Sequence, residues 1–266
     1  LGIKVAVAGK GGVGKTTVVG SLARVWAQDG MKVIAVDADP AAHLYSILEI
    51  PPGDLPRPIS SELDLIEERT GARPGASTGP FFKLNPKVDD IPERYASIGA
   101  DGVRLLELGT IKGPGSGCFC PEHAILRGLL EHLILERDEA VLVDMEAGLE
   151  QFGRATSRGV DVMLVIVEPG SRSVETAARI VQLSKELGIR SIFVVANRIA
   201  RPDQEAAVST MLSSKGLSLF HALPHSRALA DADLLGKSVF AMSEADAWVS
   251  SVRELSKKIL SNRPGP

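Results

Sequence analysis

Residues 3–17 read Ile3-Lys4-Val5-Ala6-Val7-Ala8-Gly9-Lys10-Gly11-Gly12-Val13-Gly14-Lys15-Thr16-Thr17, and this stretch decides the fold. A short apolar run breaks into a glycine-rich turn and then into a helical pattern that continues through Asp29. Gly9, Gly14, Lys15 and Thr16 satisfy the G-x-x-x-x-G-K-[ST] spacing in the strand–loop–helix context that gives the spacing its meaning. Glycines at Gly9, Gly11, Gly12 and Gly14 let successive backbone N–H groups, with those of Val13 and Thr17, face one concavity, and the following helix adds its positive end. Lys15 is placed to neutralise β- and γ-phosphate charge, and the Thr16 hydroxyl to take a coordination position on Mg²⁺. The stretch predicts a nucleotide site at the first turn of an α/β fold.

Outward from this unit, short apolar runs alternate with helical stretches. Strands are expected at Ile3–Ala8, Val33–Asp37, Val103–Leu108, Ala140–Asp144, Val162–Val167, Ser191–Asn197 and Leu217–Leu223. Their near-continuous Val, Ile, Leu and Ala content fits strands buried on both faces of a mainly parallel sheet. Between them, Val174, Ala177, Ala178 and Val181 share one helix face. The expected architecture is a single doubly wound P-loop domain spanning residues 1–266, with helices on both faces. Residues 51–92 interrupt the rhythm, because they hold eight of the sixteen prolines. Proline removes a donor and fixes φ, so this segment reads as an insertion over one end of the sheet, too poor in apolar residues for a core of its own. Near the C-terminus, Trp248, Val252, Leu255 and Ile259 fall on one stripe, the spacing of a helix packed on its domain.

Composition narrows the function classes. The 266 residues are 44% apolar and 24% charged with a net charge of −3, which invites neither nucleic acid nor an anionic membrane. No apolar run approaches the roughly 18 residues needed to cross a bilayer. The chain opens directly into a strand-like run without a charged-then-apolar leader, so a cytoplasmic, reducing location is expected. Two cysteines, Cys118 and Cys120, cannot form a disulfide framework.

Lys10 is not required by the ordinary phosphate loop, and on physical grounds alone it is a solvated loop charge. The string Gly9–Thr17, however, resembles the deviant Walker A loop of the group containing nitrogenase iron protein, septum-positioning and chromosome-partition ATPases, and arsenite-pump ATPases. In that group the early lysine reaches the partner subunit's phosphates, so the resemblance implies a nucleotide-linked homodimer with Lys10, Lys15 and Asp39 as catalytic residues. It makes Asp39, in Asp37-Ala38-Asp39-Pro40, the carboxylate that orients attacking water, with Asp37 nearer the metal. It also makes Val141–Gly148 a Walker B strand and switch, in which Asp144 holds Mg²⁺ through its waters and the Gly148 N–H senses the γ-phosphate. An Asp at a strand end is otherwise an ordinary helix cap. Relatives place an Asn such as Asn197 against the adenine amino group and backbone such as that of Pro224 beside the ring. The run Asn197-Arg198-Ile199-Ala200 lacks the Asp of the guanine-specific N-K-x-D pattern, so ATP is favoured over GTP.

The cysteines fall in a loop, residues 109–122, that ends Gly117-Cys118-Phe119-Cys120-Pro121-Glu122 before a helical pattern running to about Glu136. Pro121 suits the first helical position, which puts Cys120 near the N-cap, where the helix dipole favours the thiolate. One chain offers two sulfurs, whereas tetrahedral Zn²⁺ or square-planar Ni²⁺ needs four donors. A two-fold axis near the loop would supply them from two chains. His123 reads as an exposed first-turn histidine. In matching order, the deviant P-loop, Phe82–Asp90, the Cys118–Cys120 motif and Asp144–Glu150 resemble the CooC family, nickel-inserting accessory ATPases for carbon monoxide dehydrogenase whose paralogues act on acetyl-CoA synthase. The resemblance implies an ATP- and Mg²⁺-dependent metallochaperone that delivers Ni²⁺, or binds Zn²⁺, and serves one of those client enzymes. His43 stands where iron-protein-like members carry a switch Asp, and Glu146 is an acidic insertion in an otherwise small-residue switch. Three other classes fit less well. A MinD/ParA-like positioning ATPase would need a basic surface or tail. An iron-protein-like Fe–S reductase draws its cysteines from two separated loops. Glutamine-dependent cobyrinate amidation needs an additional glutaminase domain.

Overall fold

In the computed structural model, the described residues are 2–39, 41, 43–73, 83, 86–109, 125, 139–145, 159–242 and 245–263. Cys118, Cys120, His123, Glu146 and Gly148 lie outside them, as do residues 110–122 of the cysteine loop and most of the expected helix after it.

Among the described residues, eight strands form one sheet: β1 (Ile3–Gly9), β2 (Lys32–Asp37), β3 (Ser97–Ile98), β4 (Arg104–Glu107), β5 (Glu139–Asp144), β6 (Val162–Val167), β7 (Ser191–Ile199) and β8 (Leu219–Pro224). Their order is β3-β4-β2-β5-β1-β6-β7-β8. Every pairing is parallel except β3 with β4. The seven expected strands are present with shifts of one or two residues at several ends. The two-residue β3 was not expected, since so short a run carries no periodicity to read. Both faces of the sheet are apolar, as a parallel sheet covered by crossover helices requires.

On one face, Val5, Val7, Val33, Ala35, Leu142 and Leu164 pack with Val18, Val19 and Leu22 of α1 (Lys15–Gln28), Leu44 of α2 (Leu44–Ile47), and Trp248, Val252, Leu255 and Ile259 of the C-terminal helix, Asp246–Ser261. That expected C-terminal stripe is wholly buried, at roughly 1.5–3 kcal/mol for each large side chain. The Trp26 indole N–H adds a bond to the Ser256 hydroxyl at 2.7 Å, tying α1 to the same helix.

The opposite face gathers Ala6, Ile34, Leu106, Val143 and Val165 against the helix Ser171–Glu186. The buried side of that helix carries Val174, Ala177, Ile180 and Val181. Ala178, grouped with this face on spacing, is only half-buried, and Ile180 takes the place beside Val181. Within residues 51–92, Ile59, Leu65, Ile66, Val88 and Ile91 join the same apolar cluster, together with Ile125. The proline-rich stretch thus adds to the sheet's core, and it forms α3 (Leu63–Thr70) where the prolines thin out.

Candidate functional site

Strand β1 lies between β5 and β6 at the middle of the sheet, and the chain runs to opposite sides from it. A crevice outside the carboxyl ends of the strands therefore opens at β1, where ligands bind in sheets of this kind. The loop Gly9–Gly14 fills that position, and α1 starts at Lys15.

Two glycines are obligatory for geometric reasons. A Cβ on Gly9 would stand 2.5 Å from the Ile166 carbonyl oxygen, so the loop can leave β1 only by passing close to β6. Gly14 has φ +92, in the left-handed region, and a Cβ there would lie 2.6 Å from Asn197 Nδ2. The reason for that closeness is a hydrogen bond: Asn197 Nδ2 donates to the Val13 carbonyl at 2.8 Å. Asn197 Oδ1 in turn accepts from the Arg198 N–H at 2.8 Å. Asn197, buried at the end of β7, thus braces the phosphate loop from below. One amide hydrogen and one carbonyl lone pair remain for a base. Arg198 takes a left-handed φ of 61 directly after it.

Around the loop the side chains divide into cations and carboxylates. Lys15 is buried, and its ammonium is close enough to favour the charged form of Asp144. Lys10 is about half exposed and lies 3.9 Å from Glu168, which also meets Arg198 at 3.4 Å. Thr16 and Thr17 are half-buried in the first turn of α1. Gly11 and Gly12 are exposed at the lip of the loop, with Val13 buried beneath.

Three carboxylates stand in one row on adjacent strands. Asp37 pairs in register with Asp144 on one side and with Glu107 on the other. Asp37 accepts one backbone bond on each oxygen, and each oxygen keeps a further lone pair. Its Oδ2 accepts from the Leu44 N–H at 3.0 Å and its Oδ1 from the Asp39 N–H at 3.1 Å, fixing the turn from β2 into α2. Burial raises its pKa above the usual 3.8, and those two N–H groups offset part of the rise. Asp39 holds its own turn through the Ala41 N–H at 2.9 Å. His43 is exposed at the start of α2, and its charge favours ionised Asp37.

Asp144 is different. It is fully buried, and neither carboxylate oxygen has a hydrogen-bond partner among the described residues. Burial pushes its pKa up to about 7. The Thr16 hydroxyl and Lys15 pull it down, while Asp37 and Asp39 push it further up. The Thr16 hydroxyl lies near enough to matter without meeting hydrogen-bond geometry, so the orphaned oxygens stand as the decisive observation. A buried carboxylate without a donor is costly, and a cation beside it is the usual remedy. Asp144, the Thr16 hydroxyl and Asp37 are all oxygen donors, which fits the hard cation Mg²⁺. Pro224 ends β8, and the next residue, His225, donates its N–H to the Ile199 carbonyl at 2.9 Å, closing β8 onto β7 beside Asn197.

The sequence-predicted residues Gly9–Thr17, Asp37, Asp39, Asp144, Asn197 and Pro224 therefore gather at one edge of the sheet. Three further charged residues at this edge were not expected: Glu107, Glu168 and Arg198. Glu107 and Glu168 end or follow strands β4 and β6, and that position at a carboxyl end was the signal available for them.

Comparisons with known proteins show the family of the chain. The family described as the CobQ/CobB/MinD/ParA nucleotide binding domain matches residues 4–239. The carbon monoxide dehydrogenase accessory protein CooC of Rhodospirillum rubrum is 45% identical over 245 residues, 91% of each chain. An ATP-binding protein of Methanocaldococcus jannaschii is 42% identical over 251 residues, covering 94% of this chain and 96% of its own. Among solved structures, the MinD cell division protein of Aquifex aeolicus superposes with a TM-score of 0.69 at 20% identity, covering 99% of this chain and 98% of its own.

Proposed function

The chain is a P-loop ATPase of the CooC family, within the CobQ/CobB/MinD/ParA nucleotide-binding group, and on that premise we propose that it is an ATP-driven metallochaperone for nickel. The observation that carries the nucleotide half of this reading is Asp144, buried with two orphaned oxygens beside Thr16 and Asp37. Mg²⁺ held there would neutralise charge on the β- and γ-phosphates. Lys15 and the loop N–H groups hold those phosphates, Asn197 keeps the loop in shape and meets adenine, and Pro224 lies beside the ring. Asp39 orients water for attack on the γ-phosphate, and the Gly148 N–H senses that phosphate.

The cargo half rests on Cys118 and Cys120 and on the likeness to CooC. Two chains related by a two-fold axis would place four thiolates around one Ni²⁺ or Zn²⁺, and Lys10 acting across the same axis links that arrangement to ATP. ATP binding closes the dimer, and hydrolysis reopens it and alters the thiolate geometry. The client is carbon monoxide dehydrogenase or acetyl-CoA synthase. Among the described residues no helix is long and apolar enough to cross a membrane.

Metal analysis of anaerobically purified protein, with and without ATP, tests the reading. One Ni²⁺ or Zn²⁺ per dimer is expected, lost in Cys118→Ser with nucleotide binding largely intact. Undiminished metal in Cys118→Ser overturns the cargo assignment, and nucleotide binding that survives Lys15→Ala overturns the phosphate site.

A further inference from the structure

The mechanism above leaves Glu107 unused, yet it occupies the third place in the carboxylate row. Its Cα is in register with Asp37, whose other register partner is Asp144. Leu105, two residues earlier on β4, lies on the α1 face of the sheet, whereas Leu106 lies on the opposite face. Strand alternation thus returns Glu107 to the α1 face, the side on which Lys15 and Thr16 begin their helix. Glu107 is half-buried, and it has no hydrogen-bond or ion-pair partner among the described residues. Burial first, and the Asp37 charge second, make it harder to ionise.

The backbone keeps the row rigid. The Ala38 N–H donates to the Asp144 carbonyl at 2.9 Å, and the Leu108 N–H to the Asp37 carbonyl at 2.9 Å. Neighbouring strands lie roughly 5 Å apart, so the Glu107 backbone stands about 10 Å from that of Asp144, close to one Debye length at moderate salt and incompletely screened. Among the described residues no three acidic, histidine or cysteine side chains converge to hold an ion. Two strand spacings from Asp144, Glu107 acts on that site through its field and not as a ligand.

We propose that Glu107 is a positioning residue of the nucleotide site, the outlying charge that makes nucleotide binding there depend on a divalent cation. The inference rests on the assignment of Asp144, Thr16 and Asp37 to the cation. Without the cation, Glu107, Asp37 and Asp144 repel one another and repel the phosphates, and Lys15 alone among the buried cations opposes them. With the cation, the same charge becomes an attraction. Removing it weakens the preference for the Mg²⁺ complex and leaves the phosphate loop as it was.

The test is the affinity for a fluorescent ATP analogue, measured in Mg²⁺ and in EDTA, for the wild type, Glu107→Gln and Glu107→Asp. In Glu107→Gln the gain from Mg²⁺ falls by about 3- to 30-fold, while affinity in EDTA is unchanged or tighter. Glu107→Asp retains most of the gain. Thermal unfolding of the nucleotide-free protein moves upward in Glu107→Gln, which loss of a merely structural contact would not produce. A Mg²⁺ gain within twofold of the wild type, or equal losses in Mg²⁺ and in EDTA, overturns the proposal. A wild-type affinity that ignores Mg²⁺ instead overturns the cation site itself.

Discussion

Asp144 is the residue whose burial the free protein tolerates least. An ordinary Asp ionises near 3.8, whereas here burial raises the value to about 7. The folded state then binds more protons than the unfolded chain between those two values, so stability falls as pH rises across that window and stays low above it. Asp144→Asn removes the titration. In nucleotide-free protein the variant is expected to gain stability over the wild type, and to gain about 2 kcal/mol more at pH 8 than at pH 5.5. Urea unfolding at the two pH values checks this, and an equal gain at both would show that Asp144 is not the strained group. The same variant loses the Mg²⁺ enhancement of nucleotide affinity. At this scale Asp144 was legible, because an Asp closing an apolar run at a strand end is conspicuous. Glu107 was not, because its importance lies in register with Asp37, from which the proline-rich insertion separates it in the chain.

The phosphate loop draws its shape from a neighbouring strand as much as from its own glycines. Asn197 reaches from β7 to the Val13 carbonyl, and Gly14 has no side chain because that amide occupies the space. Gly14→Ala meets two obstacles, a left-handed φ and a contact of 2.6 Å with Asn197 Nδ2. The expected loss is about 1–3 kcal/mol of stability, with nucleotide affinity falling at least tenfold. In an Asn197→Ala background the contact is gone and only the φ strain remains, so Gly14→Ala should cost measurably less there. A double-mutant cycle by urea unfolding and nucleotide titration decides it, since additive losses would mean that Asn197 does not shape the loop. The glycine spacing predicted the loop, the strands announced themselves as apolar runs, and the buried stripe of the C-terminal helix followed from its 3.6-residue period. The Asn197 brace was hidden, because the sequence offers no sign that a strand end 184 residues away supports the loop. For the same reason Ile180 escaped notice beside Ala178: which flank of a helix meets the sheet is settled by packing, not by periodicity alone.

At the scale of the whole molecule, the lysine that the dimer would use is already engaged in the single chain. Lys10 lies 3.9 Å from Glu168, which also holds Arg198 at 3.4 Å. All three side chains are partly exposed, so each pair is worth at most about 1 kcal/mol after screening. A dimer that sends Lys10 to the partner's phosphates breaks this contact in both chains, and the small penalty is incurred twice. Glu168→Gln removes it without touching Lys10, Lys15 or the carboxylate row. The variant should dimerise about 3- to 30-fold more tightly in ATP and Mg²⁺ than the wild type, with the difference shrinking at high salt. Lys10→Ala should abolish the ATP-dependent part of dimerisation while sparing nucleotide binding by the monomer. Sedimentation velocity across a protein dilution series, at low and high salt, separates the outcomes. Weaker dimerisation in Glu168→Gln would mean that Glu168 contributes to the assembled interface. A wild type that stays monomeric in ATP would leave Lys10 with Glu168, and the thiolates of Cys118 and Cys120 without a second pair.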